Sequence, residues 1–351
     1  IQLGDEIRNR LIDITNTVGG HLASNLGVVE ITLAMHTLFN SPTDKFLWDT
    51  SHQTYVHKML TGRLNDMYTI KQYKGLSGFA KIAESDHDTF GAGHASTSLS
   101  AAIGLAQARN ARNETHNVIC ILGDGGLSGG MAYEALNNIK ELKGNFICIL
   151  NDNDMSISPP VGAMANYITS IRTTTVYDQV KNKFERILNR VPKIGTPLKR
   201  RIEKTVERMR STLLDVKAGV LFEEFGFKYL GPIDGHNLTA VMAALRYAKT
   251  YDGPIMLHMN TTKGKGMSVA EKNPVKYHGV SKQADPSKPT PKKRPTYTQC
   301  FGSEIINIAK ENESIHVITP AMREGSGLVE YEQQFPTRYY DVGIAEEHAI
   351  T

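Results

Sequence analysis

Gly123-Asp124-Gly125-Gly126-Leu127-Ser128, then a helical run, then Phe146-Ile147-Cys148-Ile149-Leu150-Asn151-Asp152-Asn153: the fold is read from this stretch. Val118 to Leu122 precedes the glycines, and Phe146 to Leu150 precedes the asparagines. Short apolar runs rich in branched residues read as strands buried on both faces. Between them, Met131 to Leu142 places Met131, Ala135 and Ile139 on one helical face. The unit is strand, helix, parallel strand, and open α/β sheets bind ligands at the edge where such strands end. Gly123 and Gly125 allow close backbone approach and a sharp turn into a helix with outward N–H groups, which suits a pyrophosphate. Asp124 between them would repel one unless a divalent cation intervenes, and magnesium bridges protein carboxylates to phosphates. Asn153, 29 positions after Asp124, stands at the next strand end and offers an amide oxygen. The expectation is a magnesium diphosphate site.

A nucleotide-binding turn is the rival. Gly-x-Gly-x-x-Gly requires glycine or alanine at Ser128, although Asp152 passes for a ribose-binding acid. A purely structural glycine turn is a third reading. Gly-Asp-Gly followed about thirty residues later by an Asn-containing turn resembles the thiamine-diphosphate fingerprint. That resemblance implies a metal held by Asp124, Asn153 and the backbone carbonyl of Met155.

With 351 residues the chain has room for two domains and a large core. Hydrophobic residues at 40% and charged residues at 22% are ordinary for a soluble globular protein, and a net charge of +4 is small for this length and argues for no particular partner. No apolar run approaches a membrane span, and no signal-peptide pattern opens the chain. Cys120 and Cys148 fall in expected core strands, and with Cys300 they follow no metal-ligand spacing, which suits a reducing cytoplasm. Ile1 in place of an initiator methionine leads us to expect lost residues ahead of it.

In chain order, Leu3, Ile7, Leu11 and Ile14 have helical spacing. The Gly19-Gly20-His21 loop follows, with His21 expected to be exposed and able to move protons near neutral pH. A strand at Phe46-Leu47-Trp48-Asp49 hands over to His52. Gly91-Ala92-Gly93-His94-Ala95-Ser96 opens an alanine-rich helix. Phe227 to Leu230 and Ile255 to His258 read as further strands joined by a helix from Asn237 to Lys249. Thr262-Lys263-Gly264-Lys265-Gly266-Met267 is a small basic loop that either faces phosphate or is a plain turn. Residues 168–177, with Thr173-Thr174-Thr175, are a candidate mobile cover. A basic amphipathic helix over residues 199–213 reads as a solvated face. Four prolines between Ser281 and Pro295 mark a linker, after which Phe301 to Ala309, Ile315 to Ile318 and Tyr339 to His348 start a second α/β unit.

Gly19-Gly20-His21-Leu22-Ala23-Ser24-Asn25-Leu26-Gly27, Trp48-Asp49-Thr50-Ser51-His52-Gln53, Gly91-Ala92-Gly93-His94-Ala95-Ser96 and Gly123-Asp124-Gly125 occur in this order. They are followed by Asn151 to Ser158, Gly231-Pro232-Ile233-Asp234-Gly235-His236 and Thr319-Pro320-Ala321-Met322-Arg323-Glu324-Gly325-Ser326-Gly327. Together they resemble the 1-deoxy-D-xylulose-5-phosphate synthase family of the transketolase superfamily, over almost the whole chain. The resemblance implies an α/β thiamine-diphosphate-binding fold with a mostly parallel sheet flanked by helices. It implies a diphosphate-binding domain at 1–280, a linker at 281–296 and part of a pyrimidine-binding domain at 297–351. Thiamine diphosphate and Mg²⁺ would be the cofactors, and pyruvate and D-glyceraldehyde 3-phosphate the substrates, in a homodimer with no nucleic-acid or membrane partner. Condensation with loss of CO₂ would give 1-deoxy-D-xylulose 5-phosphate. The implied catalytic residues are His21, His52, His278 and Glu346. The implied cofactor contacts are His52, Gly93, His94, Ala95, Gly125, Gly126, Asn153, Glu346 and Met267, where the family usually has tyrosine. Because the family continues beyond Thr351, these residues alone are expected to be inactive.

Overall fold

The computed structural model describes residues 2–153, 161–173, 219–282 and 294–351. Met155, the basic run 199–213 and most of the expected linker lie outside them.

Five parallel strands make the central sheet: β2 (Lys45–Trp48), β3 (Val118–Gly123), β4 (Phe146–Asp152), β5 (Lys228–Asp234) and β6 (Pro254–Asn260). Their order is β2-β3-β4-β6-β5. A short ladder joins β1 (Gly20–His21) to β7 (Gly279–Val280), and β8 (Val317–Thr319) pairs in parallel with β9 (Tyr339–Asp341).

Strand period 2 divides the core. Phe46, Trp48, Ile119, Ile121, Ile147, Ile149, Ile255 and Leu257 pack on one face, under helices Val29–Leu38 and Leu238–Thr250. Leu47, Val118, Cys120, Leu122, Cys148, Leu150 and Met256 pack on the other, under helices Ser98–Ala111, Gly130–Asn138 and Gly162–Thr173. Sealing both faces requires the unbroken apolar strands seen in the sequence. Each buried aliphatic side chain contributes roughly 1.5–3 kcal/mol. The sole tryptophan, Trp48, is buried at the end of β2. Among the described residues no helix is long and apolar enough to cross a membrane.

Three expectations are corrected here. The helix after the glycine turn buries Ala132, Ala135 and Leu136 and ends at Asn138, leaving Met131 exposed. A 3-10 turn over Asp124–Ser128 separates strand from helix, and of the expected face Ala135 and Ile139 are buried while Met131, in the first turn, is not. In the first helix, Gln2–Val18, Leu3 is exposed while Ile7, Leu11 and Ile14 are buried. The described part of the expected mobile cover belongs to a helix whose Ile168 and Ile171 are buried, so there it is anchored in apolar contacts.

Candidate functional site

The carboxyl ends of β2, β3, β4 and β6 deliver Asp49, Asp124, Asn153 and Lys263 to one edge of the sheet. There they line a cavity of about 270 Å³. Gly123, Gly125 and Gly126 from the turn, Gly93, His94 and Ala95 from the preceding loop, and His21, His52 and His278 line it as well. Ile344 and Glu346 reach it from the segment after β9.

Three imidazoles form one wall. Ring centroids are 5.5 Å apart for His21 and His52, 5.1 Å for His52 and His278, and 5.8 Å for His21 and His278. Asn25 fixes two of them by their backbones. Its Nδ2 donates to the carbonyls of His21 (2.8 Å) and His52 (2.9 Å), and its Oδ1 accepts from Tyr55 N–H at 2.8 Å. Tyr55 Oη also accepts the His21 amide at 3.0 Å, and Phe79 packs 5.2 Å from the His21 ring. His21 therefore belongs to the β1–β7 ladder and is largely covered, not an exposed loop histidine. Burial holds its pKa down at about 4, with Lys71 adding to the effect. Burial likewise lowers His278 to about 3 and His52 well below its ordinary value. All three are neutral at pH 7.

Asp49 organises the opposite wall. Its Oδ2 accepts from Ser96 N–H (2.9 Å), and its Oδ1 from the N–H (3.2 Å) and hydroxyl (2.9 Å) of Ser98. Ser96 Oγ then donates to Gly126 O at 2.6 Å, tying the Gly93–Ser96 loop to the glycine turn. That closeness demands glycine at 126 and 129. A Cβ at Gly126 would stand 2.4 Å from Asp49 Oδ2, and one at Gly129 would stand 2.0 Å from Ser96 Oγ. Ser128 Oγ donates to Gly125 O at 2.7 Å and lies 3.1 Å from Ile344 O, bridging the turn to the segment after β9. The serine that spoils the dinucleotide pattern is thus a structural link. At the mouth, His94 Nδ1 lies 3.6 Å from Glu346 Oε1.

The residues fit a metal and a diphosphate. Burial, with the charge of Asp152 behind it, pushes the Asp124 carboxyl up to about 7, so a cation placed beside it would favour the ionised form. Asn153 Oδ1 and His52 Nδ1 are buried without a hydrogen-bond partner. A Cβ at Gly93 or Gly123 would meet nothing within 4 Å, so both present bare backbone to the cavity. Lys263 is buried beside them, and desolvation lowers its pKa to about 8 against the pull of Asp124. Among the described residues no three His, Cys, Asp or Glu side chains form a metal cage. One carboxylate and one amide suit an ion that shares phosphate oxygens.

Of the residues expected from sequence, His21, His52, His278, Gly93, His94, Ala95, Asp124, Gly125, Gly126, Asn153 and Glu346 meet in this cavity. Met155 lies outside the described residues. Met267 does not line the cavity. It follows a tight turn and packs against the apolar cluster of Ile7, Leu11 and Ile14, where an unbranched thioether is at home. Sequence reading assigned no role to Asn25, Asp49 or Phe79. Asn25 and Asp49 each stand within four residues of a histidine already singled out, and that was the available signal.

The profile of the family described as 1-deoxy-D-xylulose-5-phosphate synthase matches residues 1–261. A curated protein of that name from Brevibacillus brevis is 50% identical over 349 residues, covering 99% of this chain and 55% of its own length. One from Alkaliphilus oremlandii is 48% identical over 351 residues, covering 99% and 56% respectively. The chain thus spans about half the length of the curated relatives it matches. Among solved structures, transketolase from Campylobacter jejuni superposes with a TM-score of 0.56 at 24% identity, covering 80% of this chain and 40% of that one. Transketolase from Leishmania mexicana gives 0.55 at 19% identity, covering 96% and 48%. The fold is that of the transketolases.

Proposed function

The chain belongs to the 1-deoxy-D-xylulose-5-phosphate synthase family, and on that premise we propose that it forms the diphosphate-binding side of a thiamine-diphosphate-dependent transferase. The proposed reaction condenses pyruvate with D-glyceraldehyde 3-phosphate, releasing CO₂ and giving 1-deoxy-D-xylulose 5-phosphate. One observation carries this reading: the Asp124 carboxylate, an unpartnered amide oxygen at Asn153 and the amine of Lys263 converge beside bare glycine backbone.

Asp124 and Asn153 would hold Mg²⁺, with the Met155 carbonyl as the third protein ligand. The backbone at Gly125–Gly126 would meet the phosphates, and Glu346 would hydrogen-bond the pyrimidine end. The bound cofactor supplies the electron sink that decarboxylation of a 2-oxo acid requires. The chain's own residues then bind, orient and move protons. Because His21, His52 and His278 are neutral at pH 7, they enter as proton acceptors or N–H donors at substrate oxygens, not as fixed cations. Residues 1–280 are read as the diphosphate-binding unit, 281–296 as linker and 297–351 as part of the pyrimidine-binding unit. A homodimer in a reducing cytoplasm is the proposed setting; the three thiols Cys120, Cys148 and Cys300 are free.

Calorimetric titration with thiamine diphosphate tests the reading. Saturable binding is expected only with Mg²⁺ present, and Asp124→Ala should weaken it at least about tenfold. Binding of NAD in place of thiamine diphosphate would overturn the assignment.

A further inference from the structure

Glu30 does not line the cavity, yet a guanidinium and an imidazole converge on it. Arg8 Nη2 donates to both its oxygens, at 2.6 and 2.7 Å. His236 Nδ1 lies 3.1 Å from Oε2. Each partner reaches onward to the same loop. Thr262 N–H donates to His236 Nε2 at 2.7 Å, and Arg8 Nε donates to Lys265 O at 3.3 Å. The accepting role of Nε2 assigns the tautomer: the ring proton sits on Nδ1 and points at Glu30. Lys263 stands between the two anchored positions, buried and lining the cavity with Asp124. Three separate elements therefore brace one loop through one carboxylate: the first helix, the helix Val29–Leu38 and the turn after β5.

We propose that Glu30 is a positioning residue for the diphosphate site, holding residues 262–265 through Arg8 and His236 so that the Lys263 ammonium stands where phosphoryl oxygens bind. This rests on the diphosphate reading above. It gives a task to His236, the last residue of the Gly-Pro-Ile-Asp-Gly-His run.

The test is a thermodynamic cycle on the 351-residue chain, read by calorimetry with thiamine diphosphate and Mg²⁺. Glu30→Gln keeps the shape but removes the charge, and should raise Kd about tenfold. Lys263→Ala should raise it by at least as much. The double variant should bind no more weakly than Lys263→Ala alone, because a residue acting through Lys263 has nothing left to position. His236→Gln keeps one donor and one acceptor and should stay within about threefold, whereas His236→Ala should match Glu30→Gln. Losses that add in the double variant, or an unchanged Kd for Glu30→Gln, overturn the positioning role and leave the diphosphate reading intact. No binding by the unaltered chain overturns both. Should Glu30→Gln fail to fold, Arg8→Lys enters the same cycle under the same criterion.

Discussion

A single amide at Asn25 sets the distance between two imidazoles. Its three hydrogen bonds all go to backbone groups, and it is fully buried. Replacing it with alanine leaves two carbonyls and one N–H without those partners, each worth about 1 kcal/mol or more when buried. We expect Asn25→Ala to lower unfolding free energy by about 3 kcal/mol, measured by urea denaturation; a loss below about 1 kcal/mol would show that the site relaxes around it. At this scale the sequence was only half legible. Glycine turns and strand ends betray which residues can approach a ligand, so Asp124, Asn153 and the histidines stood out. The hydrogen-bond hubs Asn25 and Asp49 showed only as neighbours of histidines, because their partners at 52, 55, 96 and 98 stand 27 to 49 residues away and leave no spacing pattern. The state of His21 did not show, since its pKa near 4 comes from burial by residues distant in sequence.

Residues 70–97 contain no helix or strand, yet they bring Phe79 and the Gly93–Ala95 backbone to the cavity. Two carboxylates hold this long loop. Asp88 accepts from Arg63 Nη1 (2.8 Å) and Nη2 (2.7 Å) and from Lys81 N–H (2.8 Å). Glu84 accepts from Lys58 Nζ at 2.5 Å and Ser77 N–H at 2.6 Å. Arg63 and Asp88 are 7% and 2% exposed, so removing either partner strands a buried charge. Arg63→Ala should cost about 3–5 kcal/mol, whereas an exposed pair such as Arg323–Glu324 is worth under about 1 kcal/mol; equal shifts in urea midpoint for Arg63→Ala and Arg323→Ala would refute the distinction. Periodicity made the sheet strands and long helices readable, but this loop has no period. The helix Tyr297–Glu311 does carry a local start signal in its sequence. Thr296 and Gln299 form a capping box that starts it four residues before the expected Phe301.

Across the molecule, acid should be the sensitive direction. Burial is the largest cause in each case and holds His21 at about 4, His36 at about 3 and His278 at about 3, all below the ordinary 6.5; His52 is also lowered. The unfolded chain takes up protons below pH 6.5 that the folded chain refuses until near pH 4. The stability these groups contribute is therefore complete above pH 6.5 and lost as pH falls toward 4, by up to about 1.4 kcal/mol per unit for each fully shielded imidazole. The urea midpoint should be lower at pH 5.5 than at pH 7.5, and His36→Gln should flatten the slope. A midpoint independent of pH would contradict this. The α/β architecture itself was readable because unbroken apolar strands have few other uses. The strand order was not, since β6 entering between β4 and β5 is decided by packing that no local pattern records. Trp48 closes β2 next to Asp49, sealed from water and alone of its kind in the chain. Excitation near 295 nm would therefore address one known position, giving the binding edge a built-in optical probe that needs no label.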